Sequence, residues 1–436
     1  MRCLLSSQDG LRLRVLSSND LKMGLPQPPT TLKDAPMPVF NLPDSFKAMA
    51  LALAGLLAAG QFPALAASVL APQRDEDLLE VLPAVTHSRP TASAAVPFAK
   101  PAAGDARAAT LEAREAISVA RQTGDTRYWG RAQAVLAPWW DQSDAPADLA
   151  VLQATVQQGR HEFSASRAVL VSALARAPGH AQGWLNLASL ERLSARYSEA
   201  LAACDAVARA GQSLYAEACR LETQSLQGAH QKADQGLQTL ISQTTEPGQR
   251  SWLLSLLAES QERAGRDAAA GASYASSLKA EHDLYTAIAF SDLLLRTGKT
   301  AQALQILAPL PETDAVLLRR ATAWKRLGDA RWTPTRQVLQ VRVDELKRRG
   351  DDPALHGREL ALAALWLDAD GPGALRYAKS NLQLQREPLD WWAALQSARL
   401  AKDGAALAEI ESAIRTAGLQ DARLAPAAAT AAKAAK

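Results

Sequence analysis

Aromatic residues make up only 5% of this chain although 48% of it is apolar, so its hydrophobicity rests on Ala and Leu. That deficit excludes a β-sandwich or barrel, whose strands draw on Val, Ile, Tyr and Thr, and favours helices packed through small residues. Charge of one sign is also missing. The formal net charge is +3 over 436 residues; the first 66 hold six Lys/Arg and four Asp/Glu, leaving 42 basic against 41 acidic side chains. A chain this close to neutral lacks the electrostatic footprint of a nucleic-acid binder. Six histidines, at 87, 161, 180, 230, 282 and 356, include no i, i+4 pair, and none stands at ligand spacing from a Cys. Glu162 follows His161 with no His at 165, so the zinc-protease motif is absent. No Walker-type or dinucleotide Gly-rich loop occurs, and nothing calls for a metal or a cofactor.

Long hydrophobic runs are missing too. The longest, AMALALAGLLAAG at 48–60, falls short of the roughly 20 residues that span a bilayer. It follows Lys47 and precedes Ala64-Leu65-Ala66, an A-x-A site before Ala67. This layout predicts a signal peptide cleaved after Ala66 and export, in a bacterial cell to the periplasm, with no stable membrane span left afterwards. No Cys stands at the cleavage point, which argues against lipid attachment. Residues 1–36 are polar and broken by Pro26, Pro28, Pro29 and Pro36, so translation is expected to start at Met37. Residues 67–105 read as a disordered Pro/Ala-rich linker, in which only Glu76–Leu82 has the pattern of a helical turn or docking strand.

From Ala106 to Leu419 a helical period hardly stops. Apolar stripes come in pairs separated by turn residues: Gly124, Gly159, Gly228, Gly265, Gly298, Gly328, Asp370–Gly373 and Asp403-Gly404. Pro138, Pro178, Pro247 and Pro309 close several pairs. The spacing predicts about nine helical hairpins, including a longer helix over Thr335–Arg349. The clearest unit is Ala181–Ala210. Trp184, Leu187 and Ala188 fall at i, i+3 and i+4, widened by Leu185, Leu190 and Leu193. After a turn at Ser194–Ala195, Tyr197, Ala200, Leu201, Cys204, Val207 and Ala208 form one stripe.

That unit resembles a tetratricopeptide repeat, a module of about 34 residues. Trp184, Leu187, Tyr197 and Ala200 occupy the family's pattern positions, Asn186 matches a common first-helix residue, and Pro178 matches the proline closing the preceding repeat. Ala188 replaces the usual Gly, Ala195 the usual turn Gly and Cys204 the usual aromatic. The resemblance implies an all-α, right-handed superhelical solenoid of stacked hairpins over 106–420, with a concave surface made mainly by first helices. An Ala-rich tail from 421 is expected to fray after Gly418.

Other apparent motifs have plainer readings. Gly271–Ala275 echoes a nucleophile elbow without its closing Gly, and lies inside a second helix. Asp368–Gly371 opens like a calcium loop, but Lys379 stands where the bidentate Glu belongs, so it is a turn. Lys347-Arg348-Arg349 closes a helix, where positive charge meets the negative end of the dipole. Adjacent Trp residues on a helix are about 100° apart. Trp139-Trp140 and Trp391-Trp392 therefore either seal repeat junctions or leave one ring of each pair to a partner. Cys204 and Cys219 fall on apolar stripes, where free thiols pack as small hydrophobes; export would permit their oxidation.

Groove-facing residues of the clearest first helix, Gln182, Leu185, Asn186, Ser189 and Arg192, are the candidate partner-binding positions, with Asn186 available to a ligand's backbone. Other units do not repeat that Asn, which argues against a carboxylate clamp. No nucleophile–base pair supports an enzyme. The expected function is a non-enzymatic scaffold or adaptor that holds a peptide or helix of another protein in its groove, in a periplasmic envelope or secretion assembly. The alternative is a cytoplasmic regulatory repeat protein whose N-terminal apolar segment docks intramolecularly.

Overall fold

The computed structural model describes residues 105–348, 350 and 352–425. The expected leader, signal peptide and linker, the chain beyond 425, Arg349 and Asp351 lie outside the described residues. Those described form eighteen α-helices joined by turns and short 3₁₀ or π segments, arranged as nine hairpins in chain order. The first four are α1 (Ala106–Thr123) with α2 (Arg127–Leu136), α3 (Ala147–Gly159) with α4 (Phe163–Arg176), α5 (Ala181–Leu193) with α6 (Tyr197–Arg209), and α7 (Ser213–Leu226) with α8 (His230–Ser242). Next come α9 (Pro247–Arg263) with α10 (Asp267–Ala280), α11 (Leu284–Arg296) with α12 (Thr300–Leu307), and α13 (Asp314–Arg326) with α14 (Trp332–Arg348). The last two are α15 (Gly357–Ala363) with α16 (Gly371–Leu384), and α17 (Pro388–Leu400) with α18 (Gly404–Ala417).

One backbone device makes every hairpin turn. A single residue after each first helix adopts the left-handed conformation: Gly124, His161, Ala195, Gly228, Gly265, Gly298, Gly328, Ala369 and Lys402. In seven hairpins the next amide then donates back five residues, as from Arg196 to Glu191 (2.8 Å) and from Arg266 to Gln261 (2.8 Å). This Schellman closure satisfies a carbonyl that the helix end leaves orphaned. Glycine supplies the conformation most readily; Ala195 adopts it with φ 57°.

First and second helices differ in what they bury. Second helices such as α6 show one buried stripe, Tyr197, Ala200, Ala203, Cys204, Ala206 and Val207. Among first helices, α1 still shows one stripe, but inner ones are enclosed nearly all round: α3 is buried at every position from Leu149 to Gln158, and α9 buries Ser251, Ser255, Ser260, Gln261, Glu262 and Arg263 beside its Leu residues. A helix buried on all sides sits between neighbours rather than against solvent. Small residues set the close approaches, with Ala188 and Ala200 fully buried between α5 and α6. At Gly371 a Cβ would lie 2.5 Å from the Ala401 amide nitrogen, so α16 meets the end of α17 only through glycine.

The array returns on itself. Gly124 of hairpin one packs against Thr313 and Leu284, which open hairpins seven and six. The ring of His161, in hairpin two, lies 6.2 Å from that of His356, just before hairpin eight. The Arg386 amide, just before α17, donates to the Leu193 carbonyl of α5 (2.7 Å), and the Gln420 amide donates to the Leu226 carbonyl of α7 (2.8 Å). Tyr197 and Leu226 share one apolar core with Leu375, Trp391, Leu395, Leu419 and Leu424. Hairpins one to four thus touch chain that belongs to, or directly flanks, hairpins five or six further along.

Two expectations change here, and one open choice resolves. Residues 419–425 do not fray: Leu419 and Leu424 are buried, because hairpins three to five supply a surface that no local pattern announces. Cys204 and Cys219 are bonded rather than free, on facing helices α6 and α7 with Cα atoms 5.6 Å apart. The tryptophans serve junctions: Trp391 is buried, Trp392 packs toward Trp366 with ring centroids 6.2 Å apart, and Trp139 and Trp140 lie half-buried against the first core from a 3₁₀ turn. Closing a loop of 15 residues, the disulfide is expected to stabilise hairpins three and four by about 3 kcal/mol. Hydrogen exchange with and without reductant checks this; unchanged protection in α6 and α7 would contradict it.

Candidate functional site

Seven successive first helices, α5 through α17, converge on an axial cavity of about 320 Å³. Ser189, Glu222, Glu259 and Asp292 each stand six residues before the left-handed residue of their own turn, so one register position on four neighbouring helices faces the cavity. Three of the four are acidic, and arginines answer them. Arg192 reaches Glu222 (2.8 Å), Arg319 forks onto Asp292 (2.8 and 2.7 Å), and Arg263 lies 3.7 Å from Glu259, which also accepts from the Tyr285 hydroxyl (2.9 Å). At the closing seam Arg358 of α15 forks onto Asp390 of α17 (2.7 Å twice) and reaches Glu387, while Asn381 donates to Asp390 (2.7 Å). Trp252, Leu256, Ile288 and Leu389 supply the apolar wall.

These charges are strongly coupled because they are paired closely and partly shielded from water. Burial pushes Glu259 and Asp292 above the usual carboxylate range, against the pull of Arg263 and Arg319. Burial and the neighbouring carboxylates raise the Tyr274 and Tyr285 hydroxyls well above the ordinary tyrosine value. Glu387 goes the other way. Burial alone would raise it, but it is drawn down to about 2, with Arg358, through charge and hydrogen bond, the chief cause among the described residues. Tyr197, 4% exposed, lines the cavity with a hydroxyl that has no hydrogen-bond partner among the described residues; burial pushes it to about 12. A buried polar atom of this kind costs about 1–3 kcal/mol unless an incoming group satisfies it.

The sequence-derived positions fall into two sets. Ser189 and Arg192 line the cavity. Leu185 packs between the cores of neighbouring hairpins. Asn186, expected to be available to a ligand, is instead 1% exposed and donates to Thr155 of α3 (2.9 Å), while Gln182 donates to it (2.9 Å). That pair ties hairpin three to hairpin two, because a buried amide must find partners and Thr155 is the polar group within reach. Glu222, Glu259 and Asp292 were missed, although they share the register of Ser189 and could be found by counting back from each turn. Arg358, Glu387 and Arg423 had no such signal.

The segment after α18 completes the wall. Asp421 clasps the Arg423 guanidinium through both carboxylate oxygens (2.9 and 3.1 Å to Nε), and Arg423 reaches Glu262 (3.0 Å). Glu262 also accepts from Arg296 (3.1 Å) and Tyr274 (3.2 Å). Burial would lower Arg423, but Asp421 and Glu262 hold it well above the ordinary arginine value.

Because folding depresses Glu387, its contribution is fully present above its ordinary value of 4.5 and fades as the pH falls toward about 2. Arg358→Ala, which leaves buried Asp390 and half-buried Glu387 without their cation, is expected to cost about 3 kcal/mol at pH 7. The deficit relative to the unsubstituted protein should shrink across that acid window. Urea unfolding at stepped pH checks both; a variant of undiminished stability at pH 7 would contradict them.

No family model matches the chain, and no curated protein matches it. Among solved structures, it is similar to a Rap protein complexed with Competence and Sporulation Factor, at 9% identity, covering 71% of this chain and 84% of that one, with a TM-score of 0.42. A human IFIT1 dimer with PPP-AAAA gives 12% identity, 71% and 73% coverage and a TM-score of 0.42. A Naa15/Naa10 structure bound to HypK-THB gives 14% identity, 70% and 49% coverage and a TM-score of 0.27. Overlaps this loose assign no partner; the helical-hairpin architecture stands on the chain's own structure.

Proposed function

We propose that this chain is a non-enzymatic interaction scaffold that takes an extended segment of a partner protein into its axial cavity. One observation carries the reading: seven first helices of one array aim polar, charged and aromatic side chains at a common, half-open cavity. A volume of about 320 Å³ lies at the low end of ligand pockets, roughly 300–1,000 Å³. An α-helix 10–12 Å across does not fit it, so the occupant is extended. Paired Arg and Glu side chains select a ligand that offers its own donors and acceptors, and Tyr197 has a hydroxyl to offer it.

The rest of the proposal concerns setting. The array is read as a right-handed tetratricopeptide-type superhelix, and the protein as exported, in a bacterial cell to a periplasmic envelope or secretion assembly. The apolar run and A-x-A site at 48–66 support export, and the Cys204–Cys219 bond suits an oxidising compartment. The cytoplasmic regulatory alternative differs in one respect, since residues 49–59 would then survive in the mature protein. A photocrosslinking side chain at Tyr285 is expected to capture a partner segment in cells, while one at exposed Arg331 is not. Intact mass of the captured protein should begin at Ala67. Capture from Arg331 alone would contradict the cavity reading, and a species retaining 49–59 would contradict export.

A further inference from the structure

The closing segment behaves as a ligand of the array it belongs to. From Gly418 the chain crosses the C-terminal ends of two successive first helices, one residue pair at a time. At α7, the Gln420 amide donates to the Leu226 carbonyl (2.8 Å), the last residue of that helix, whose acceptor has no partner within the helix. At α9, Ala422 packs on Gly265 and Arg423 meets Glu262 (3.0 Å). Asp421 is extended (φ −148°, ψ 124°), and a single 3₁₀ turn, Ala422–Leu424, follows. Leu419 and Leu424 are buried at either end. A helix-end carbonyl, a buried carboxylate and two aliphatic seats are what an extended peptide from another molecule would use.

The Asp-x-Arg unit is not itself special. Asp125–Arg127 and Asp329–Arg331 make the same clasp, with the arginine Nε 2.9 and 3.0 Å from one carboxylate oxygen, but on the outside of the array. Arg331 is 66% exposed; Arg423 is 18% exposed. The difference lies in the receptor, where Glu262, 7% exposed, faces the incoming guanidinium beside Tyr274 and Arg296.

We propose that Leu419–Ala425 is an intramolecular occupant of an arginine subsite centred on Glu262, and that a partner segment of the same chemistry displaces it. That chemistry is an extended stretch with an acidic residue two before an arginine, flanked by aliphatic residues. The inference rests on the scaffold reading above and adds the ligand class and a closed, self-occupied state. A tethered occupant acts at an effective concentration of roughly millimolar, so a free peptide competes poorly until the tether's own contacts are weakened.

The probe is a fluorescein-labelled peptide of residues 418–425, GLQDARLA, titrated by anisotropy against the full chain. Arg423→Ala, which loosens the tethered segment, should bind the peptide at least about tenfold tighter than the unsubstituted chain. Adding Glu262→Gln should abolish that gain. Arg423→Lys keeps the charge but loses the fork, and should give a smaller gain; it carries the test if circular dichroism shows Arg423→Ala to be unfolded. Equal affinity in the unsubstituted and loosened chains, or a gain that survives Glu262→Gln, overturns the inference. Capture at Tyr285 without any peptide gain would fail this inference alone; loss of both would fail the scaffold reading beneath it.

Discussion

Two backbone hydrogen bonds, from Arg386 to Leu193 and from Gln420 to Leu226, join the last hairpin to the third and fourth. A stacked hairpin array shares its core only between neighbours, so its end hairpins keep an uncovered face. Here the acceptors are the final carbonyls of α5 and α7, groups that helix geometry leaves without an internal partner. Meeting them brings Trp391, Leu395, Leu419 and Leu424 onto Tyr197 and Leu226, and the array gains a core that no adjacent pair supplies. Much else follows from that closure. First helices that would line an open trough line a deep, half-open cavity, and their arginines and carboxylates interact partly shielded from water.

Enclosure also explains why the charges come in pairs. A single buried carboxylate would be expensive, whereas Asp292 with Arg319, or Asp390 with Arg358 and Asn381, is hydrogen-bonded on the atoms that matter. Several pairs span adjacent hairpins, as Arg192–Glu222 does, so the same contacts that keep the cavity polar also relate one repeat to the next. A ligand entering this space exchanges partners with groups already satisfied, which favours selectivity over raw affinity. Tyr197 differs, with a hydroxyl unmatched among the described residues.

The hairpins were legible because their signals are local. Turn residues recur every 30 to 41 positions, and apolar stripes of period 3.6 separate them. Even the departures were readable: Ala195 takes the left-handed conformation that the family leaves to glycine. The cavity was half legible. Ser189 and Arg192 face it as the first-helix pattern implies, and the acidic positions equivalent to Ser189 follow from the same register. Asn186 was misjudged because its partner, Thr155, lies 31 residues away on another hairpin. Cys204 and Cys219 looked like two packed thiols because an apolar stripe says nothing about which way a facing stripe points. The closing segment was invisible for the same reason in stronger form. Its alanines resemble those of a fraying tail, and its seat is assembled from helices some two hundred residues upstream.

Closure can be measured at the two amides that make it, by hydrogen exchange with residue-level fragmentation of the native, oxidised chain. Arg386 and Gln420 lie outside any helix that could protect them locally. A closed array requires both to exchange far more slowly than free chain: Arg386 opens only when hairpin nine leaves hairpin three, and Gln420 only when residues 419–425 leave the end of α7. Exchange at the rate of free chain at both, with the helices still protected, would mean an open array and no enclosed cavity.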